Sequence, residues 1–333
     1  MLASTMGKTN FLIDRKNLRN KAELIIGISN WCNYDCSYCM PHSKAQTSKL
    51  KDSLAITKII NDSYRHFKKY AEVDNYGVLF VGGEPTIHPE FKKIINNIQS
   101  LRKIEPNYKI IIVTNLSRTN RWLSDISKKV TGIVASYHDE FTTVEDFSNK
   151  VITCMESNPN LYVTIGIQPL PGKLKKLEKD CFKIRDNIKL KLKEEHIKFK
   201  LDFIIQHLYI GTDKLYPYSK HDFLMFKKLI NEFSNPNIIM SERLSNQEEF
   251  LSHSFADSDE YLHAKCYAGI EGLTVGFNGK LQRTSRCNLD KQQQDLGNIY
   301  SNYILPTEPA TCTVSKGCGN CWFDYSFRKQ KNE

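Results

Sequence analysis

Residues 29–42 read Ser29-Asn-Trp-Cys32-Asn-Tyr-Asp-Cys36-Ser-Tyr-Cys39-Met-Pro-His42. Cys32, Cys36 and Cys39 stand in a C-x3-C-x2-C spacing directly after an apolar run, Ala22–Ile28, suited to a buried parallel strand. Three thiolates on so short a loop can converge on one inorganic centre and leave its fourth position without a protein ligand. A structural zinc site is normally closed by four ligands in paired short spacings. An iron–sulfur cluster held by three cysteines instead keeps one iron open to a small molecule, which is a catalytic arrangement.

The rest of the composition bounds the setting. The chain has 333 residues, 40% of them hydrophobic and 25% charged, enough for one large α/β domain and a small appendage. No apolar run has the length of a membrane span, and the first residues lack the apolar core of a secretory signal, so a cytoplasmic protein is expected. In that compartment thiols stay reduced, and ten cysteines suggest metal binding more than disulfides. The formal charge of +10 has two readings. One is an anionic partner, such as a phosphorylated substrate, a nucleotide or RNA. The favoured one is lysine spread over solvated helix faces, since residues 173–200 keep apolar residues at helical intervals and no basic stretch is interleaved with aromatics.

Outward from the cysteine loop, strands and helices alternate. Strands are expected at Ala22–Ser29, Tyr76–Val81, Tyr108–Thr114, Thr131–Tyr137, Leu161–Gln168 and Lys198–Gln206. Helices are expected at Ser53–Tyr70, Pro89–Leu101, Val144–Glu156, from Gly172 to about His196, and at Lys220–Phe233. The alternation argues for a parallel sheet with right-handed crossovers, with too few strands for a full eight-stranded barrel. Chemistry in such folds gathers at the carboxyl ends of the strands. There the second strand runs into Gly82-Gly83-Glu84-Pro85, whose glycines let backbone approach a ligand closely and whose glutamate offers an acceptor. Thr114-Asn115 ends the third strand, Ser136-Tyr137-His138 the fourth and Gln168 the fifth.

The cysteine spacing, with aromatic Tyr38 before the last cysteine and Gly-Gly-Glu-Pro one β/α unit later, resembles the radical S-adenosylmethionine (SAM) superfamily. The resemblance implies a partial (β/α)6 TIM-type barrel over residues 22–240. It implies a 4Fe–4S cluster held by Cys32, Cys36 and Cys39, whose open iron chelates SAM. It also implies SAM contacts from Tyr38, Gly82, Gly83, Glu84 and Pro85, and by position from Asn115, Ser136 and Gln168. His138, followed by Asp139 and Glu140, is a candidate acid or base on the substrate side, and equally a loop histidine with no chemical role.

Cys266, Cys287, Cys312, Cys318 and Cys321 form a second group. Between the first two, Asn278-Gly279 flanked by alternating residues signals a β-hairpin that returns Cys287 towards Cys266. With Cys318-Gly-Asn-Cys321, four thiolates can close a metal site, and zinc suits it as well as iron. Behind a radical SAM core the module resembles the twitch domain, the shorter relative of the SPASM domain. That resemblance implies a small C-terminal β-hairpin and cysteine-rich module at residues 261–333, after a polar connection at 241–260. It implies a second 4Fe–4S cluster on Cys266, Cys287, Cys318 and Cys321. Cys312 is left over and could replace one of them or be a plain thiol.

By the family's chemistry, the implied activity is hydrogen abstraction by a 5′-deoxyadenosyl radical, with electrons from a donor such as flavodoxin or ferredoxin. The expected substrate is a small polar molecule (a sugar, cyclitol or nucleotide), undergoing net oxidation, epimerisation or rearrangement. Cys39-Met40-Pro41 is similar to the GTP cyclase branch of the superfamily, but this chain ends Arg328-Lys-Gln-Lys-Asn-Glu333 where that branch ends Gly-Gly, so a different reaction is expected. The alternative within enzymes is modification of a peptide or protein side chain. The short arm at residues 1–21 leaves no room for an N-terminal peptide-binding domain. A metal-binding or RNA-contacting protein without catalysis is the remaining class.

Overall fold

The computed structural model describes residues 20–39, 52–193, 201–205, 209–210, 214–215, 217–233, 262–284, 291–313 and 329–330. The expectations for the arm before residue 20, the connection at 241–260, and Cys287, Cys318 and Cys321 lie outside these residues.

Six parallel strands follow one another in chain order: β1 (Lys21–Ser29), β2 (Asn75–Gly82), β3 (Lys109–Thr114), β4 (Gly132–Tyr137), β5 (Tyr162–Ile167) and β6 (Leu201–Ile205). Sequential order without a reversal is the winding of a barrel and not of a doubly wound sheet. Register runs from Leu24 to Val78, Val78 to Ile110, Ile112 to Ile133, and Ile133 to Val163. This row places one apolar face of the sheet against the helices, where Leu24, Ile26, Val78, Phe80, Ile110 and Ile112 are buried in the main core.

Helix α1 (Ser53–Tyr70) shows how the sequence dictates that packing. Ile56, Ile59, Ile60, Tyr64 and Phe67 recur along one face and are buried, and the Asp52 side chain accepts from the Leu54 amide at 2.8 Å to cap the start. The bounds of α1 and of the helix at Lys220–Phe233 are those expected. The helix expected at Pro89–Leu101 is instead a 3-10 turn at Pro85–Ile87 followed by two short helices, Phe91–Asn97 and Gln99–Ile104. A helix at Asn120–Ser127 has no counterpart in the sequence reading. It buries only Leu123, Ile126 and Ser127, too short an apolar stripe to register as periodicity. Its start is set locally by Thr119, which accepts from the Trp122 amide.

The hairpin around Asn278-Gly279 forms as expected. Gly272–Val275 pairs antiparallel with Lys280–Gln282, and Asn278 Oδ1 accepts from the Lys280 amide at 3.0 Å. Gly279 has φ +84°, and a Cβ there would meet the Tyr300 ring at 2.4 Å. The hairpin does not stand apart from the barrel. Its first strand pairs parallel with β1, Leu24 with Leu273 and Ile26 with Val275, so β1 lies inside a nine-stranded sheet. A second, three-stranded sheet carries Cys266, which pairs with Ala310 and Lys329. Among the described residues no helix is long and apolar enough to cross a membrane.

Candidate active site

The cysteine loop leaves β1 and folds over the carboxyl end of β2. Gly83 donates its amide to Ser29 O at 2.8 Å, and Glu84 donates to Trp31 O at 2.9 Å. A Cβ on Gly82 would sit 2.2 Å from Ser29 O, and one on Gly83 2.3 Å from Trp31 O. The paired glycines therefore serve a close approach of backbone to backbone: the cysteine loop itself rests on them.

Glu84 is fully buried. Its Oε1 accepts from the Thr86 amide (3.0 Å), the Thr86 hydroxyl (2.5 Å) and the Thr114 hydroxyl (2.8 Å), while Oε2 accepts from the Asn115 amide (2.6 Å). Burial raises its pKa above the ordinary carboxylate value, and these donors offset only part of that rise. The carboxylate thus ties the end of β2 to the end of β3. The Asn115 side chain reaches back to the loop, with Nδ2 donating to Asn33 Oδ1 at 3.2 Å and lying 3.8 Å from Cys32 Sγ.

The far side of the loop is held by the segment after β4. Ser37 donates its amide and hydroxyl to Glu140 at 2.8 and 2.5 Å. Tyr34 stacks on Phe141, with ring centroids 4.7 Å apart. His138 lies parallel to Tyr38, its Nδ1 2.8 Å from the phenolic oxygen and 3.4 Å from Cys36 Sγ. Leu170, beyond β5, packs on Cys36 and Tyr38. Burial drives the His138 pKa down to about 4, so the ring is neutral near pH 7. Burial also pushes the Cys36 thiol up to about 12 and raises that of Cys32, with the neighbouring thiols adding to both shifts.

The expected site residues are thereby brought together in part. Cys32, Cys36, Cys39, Tyr38, Gly82, Gly83, Glu84 and Asn115 share one strand-end cluster. Pro85 opens the buried 3-10 turn beneath it. Ser136 pairs with Gly166 and Gln168 follows β5, each half-buried at the same end of the sheet. Cys266 and Cys312 are buried in the smaller sheet. Sequence reasoning did not place Asn33, Ser37, Glu140 and Phe141 in the site, because they meet only through contacts spanning about a hundred residues.

The donor set fits an iron–sulfur cluster. A thiolate needs hydrogen-bond donors, and Cys32 Sγ accepts from the Tyr34 amide at 3.4 Å while Tyr38 and His138 flank Cys36. Among the described residues no three histidine, cysteine or acidic side chains close on a single ion. A bound cation would also reverse the unfavourable thiol ionisation that burial imposes.

Fold and loop together define a parallel barrel-type chain with a loop of three cysteines at the strand ends. Residues 26–150 match the model of the Radical SAM superfamily. GTP 3′,8-cyclase of Actinobacillus pleuropneumoniae serotype 5b (strain L20) is 29% identical over 110 residues, 33% of this chain and 30% of the relative. The same enzyme of Psychromonas ingrahamii is 30% identical over 107 residues, 31% of this chain and 28% of the relative. The chain thus spans less than a third of these curated relatives. Two solved structures share the fold. Hexahistidine-tagged anSMEcpe with bound AdoMet aligns over 85% of this chain and 79% of its own, with TM-score 0.52 and 18% identity. Native anSMEcpe with bound AdoMet and Cp18Cys peptide covers 85% and 78%, with TM-score 0.50 and 17% identity.

Proposed function

We propose that the protein is a radical SAM enzyme acting on a small polar substrate by net oxidation, epimerisation or rearrangement. The observation that carries this is the cysteine loop, seated at the carboxyl end of β1 with the Tyr34 amide donating to Cys32 and His138 Nδ1 3.4 Å from Cys36. Cys32, Cys36 and Cys39 would hold a 4Fe–4S cluster. Tyr38, Gly82, Gly83, Glu84, Pro85, Asn115, Ser136 and Gln168 would line the SAM side. When bound, the cluster and SAM supply a one-electron reductive cleavage that yields a hydrogen-abstracting radical. The chain's own part is to fix the loop through Gly83, Glu84 and Glu140 and to cover Cys36 from water with Tyr38, His138 and Leu170. Glu84, saturated by protein donors, would act by holding Thr114 and Asn115 in place. Cys266, Cys287, Cys318 and Cys321, with Cys312 as the alternative fifth, would bind a second 4Fe–4S cluster or a zinc ion in a C-terminal twitch-like unit at residues 261–333.

A nucleotide is favoured within the small-molecule class by the local similarity to enzymes named for GTP. A peptide substrate is the second reading, since a neighbour in fold was solved with a bound peptide. A flavodoxin- or ferredoxin-type donor would supply the electron, in the cytoplasm.

Anaerobic reconstitution with iron and sulfide counting, followed by SAM cleavage under dithionite, tests the reading. About eight irons per chain with 5′-deoxyadenosine formed supports two clusters. The Cys32/Cys36/Cys39→Ala triple variant should then keep about four irons and lose cleavage. Absence of iron and of cleavage would sink the enzyme reading.

A further inference from the structure

We propose that His138 donates a hydrogen bond from its Nδ1–H to the Cys36 sulfur of the cluster, and so sets how readily that cluster is reduced. The inference deepens the proposed function and rests on it. Its basis is a three-way contact joining residues a hundred apart in sequence. His138 Nδ1 lies 3.4 Å from Cys36 Sγ and 2.8 Å from the Tyr38 oxygen, with the two rings parallel at 6.0 Å and 9°. The Tyr38 hydroxyl also hydrogen-bonds Cys36.

A ligating thiolate is an acceptor only. With the one Tyr38 hydroxyl proton given to Cys36, Nδ1 bears the ring proton and shares it between the Tyr38 oxygen at 2.8 Å and the Cys36 sulfur at 3.4 Å. The ring is fixed on every side that the structure describes: Tyr38 on its face, Tyr34 edge-on at 5.9 Å, and the Ser37–Glu140 bonds closing the loop around it. Asp139 and Glu140, the charged groups nearest in sequence, are drawn away, Asp139 to Lys176 at 2.7 Å and Glu140 to Ser37. Nδ1 of the imidazole therefore faces the cysteine loop. His138 is a positioning residue, not the substrate-side acid or base that its place after β4 suggests. Hydrogen bonds to the sulfurs of an iron–sulfur cluster favour the reduced state, because they disperse the charge added by the electron.

The test is a potentiometric titration of the reconstituted protein, read by the electron paramagnetic resonance signal of the reduced cluster. It is run in the Cys266→Ala/Cys312→Ala background as well as in the full chain, to separate the two centres. His138→Phe keeps the ring and removes the donor, and at a fixed potential should lower the reduced-to-oxidised ratio about tenfold, or about 59 mV for one electron. His138→Gln restores an N–H and should recover most of that ratio. A phenylalanine variant with full iron and an unchanged midpoint overturns the inference, as does a glutamine variant displaced as far as the phenylalanine one. Should His138→Phe fail to load iron, wild-type protein labelled with 15N-histidine decides. A weak nitrogen coupling to the reduced cluster is expected by electron spin-echo spectroscopy, and its absence refutes the hydrogen bond. Wild-type protein that binds no iron at the cysteine loop would instead refute the proposed function itself.

Discussion

Replacing Gly83 with alanine tests how the cysteine loop is supported. The new Cβ would lie 2.3 Å from Trp31 O, 2.6 Å from Trp31 C and 2.9 Å from Asn30 O. All three are backbone atoms, so no side chain can swing aside. Relief requires the loop to retreat by about 1 Å, an overpacking that costs about 1–3 kcal/mol. The same retreat stretches Gly83 N to Ser29 O and Glu84 N to Trp31 O, now 2.8 and 2.9 Å, each contributing about 1 kcal/mol. With both bonds lost, a total of about 3–5 kcal/mol follows. The more specific consequence is at the thiols, because Cys32 directly follows Trp31 on the loop that moves. Urea unfolding should therefore show the loss of stability, and iron per chain after anaerobic reconstitution should fall at the same time. Gly132→Ala is the control, since its Cβ would meet atoms no closer than 3.5 Å and lies at the opposite end of β4. A Gly83→Ala protein as stable and as fully loaded as the Gly132→Ala protein would refute the claim that the glycines serve this contact.

Glu84→Gln should cost about 2–3 kcal/mol in chemical denaturation. Both carboxylate oxygens accept from backbone amides, and the new amide would present N–H to one of them. Glu140→Ala removes both acceptors of Ser37 at an exposed position. It should change stability by no more than about 1 kcal/mol while reducing iron retention, read as iron lost on gel filtration. His66 is buried between α1 and Gly269 O, 2.8 Å from its Nε2, and burial depresses its pKa. The unfolded chain then takes up the proton first, so stability is full above the ordinary histidine pKa and falls as pH drops through it. Unfolding free energy measured between pH 7.5 and 5 should show that decline, and His66→Gln should flatten it.

Several features were legible because their causes are local. The bounds of α1 follow from Asp52 as cap and from isoleucines at helical spacing, and the hairpin from Asn278-Gly279. The helix at Asn120–Ser127 escaped because two buried aliphatic residues make no period. In the sequence, Gly82 and Gly83 permit a close approach of backbone to a ligand. Only the packed chain reveals that the atoms pressing on them are Ser29 O and Trp31 O. His138 was ambiguous for the same reason: a polar residue after a strand can face substrate, solvent or another loop.

The sequence by itself determined the order of the six parallel strands, the three-thiol loop after β1 and the turn that makes the hairpin, since each is set by neighbours a few bonds apart. The tertiary structure decided that the hairpin extends the sheet beside β1, that Glu84 spends its carboxylate on Thr86, Thr114 and Asn115, and that His138 meets Cys36. Those contacts are non-local. Which of many polar residues at a strand end meets which depends on the winding of the whole sheet, and burial then makes each chosen hydrogen bond costly to lose.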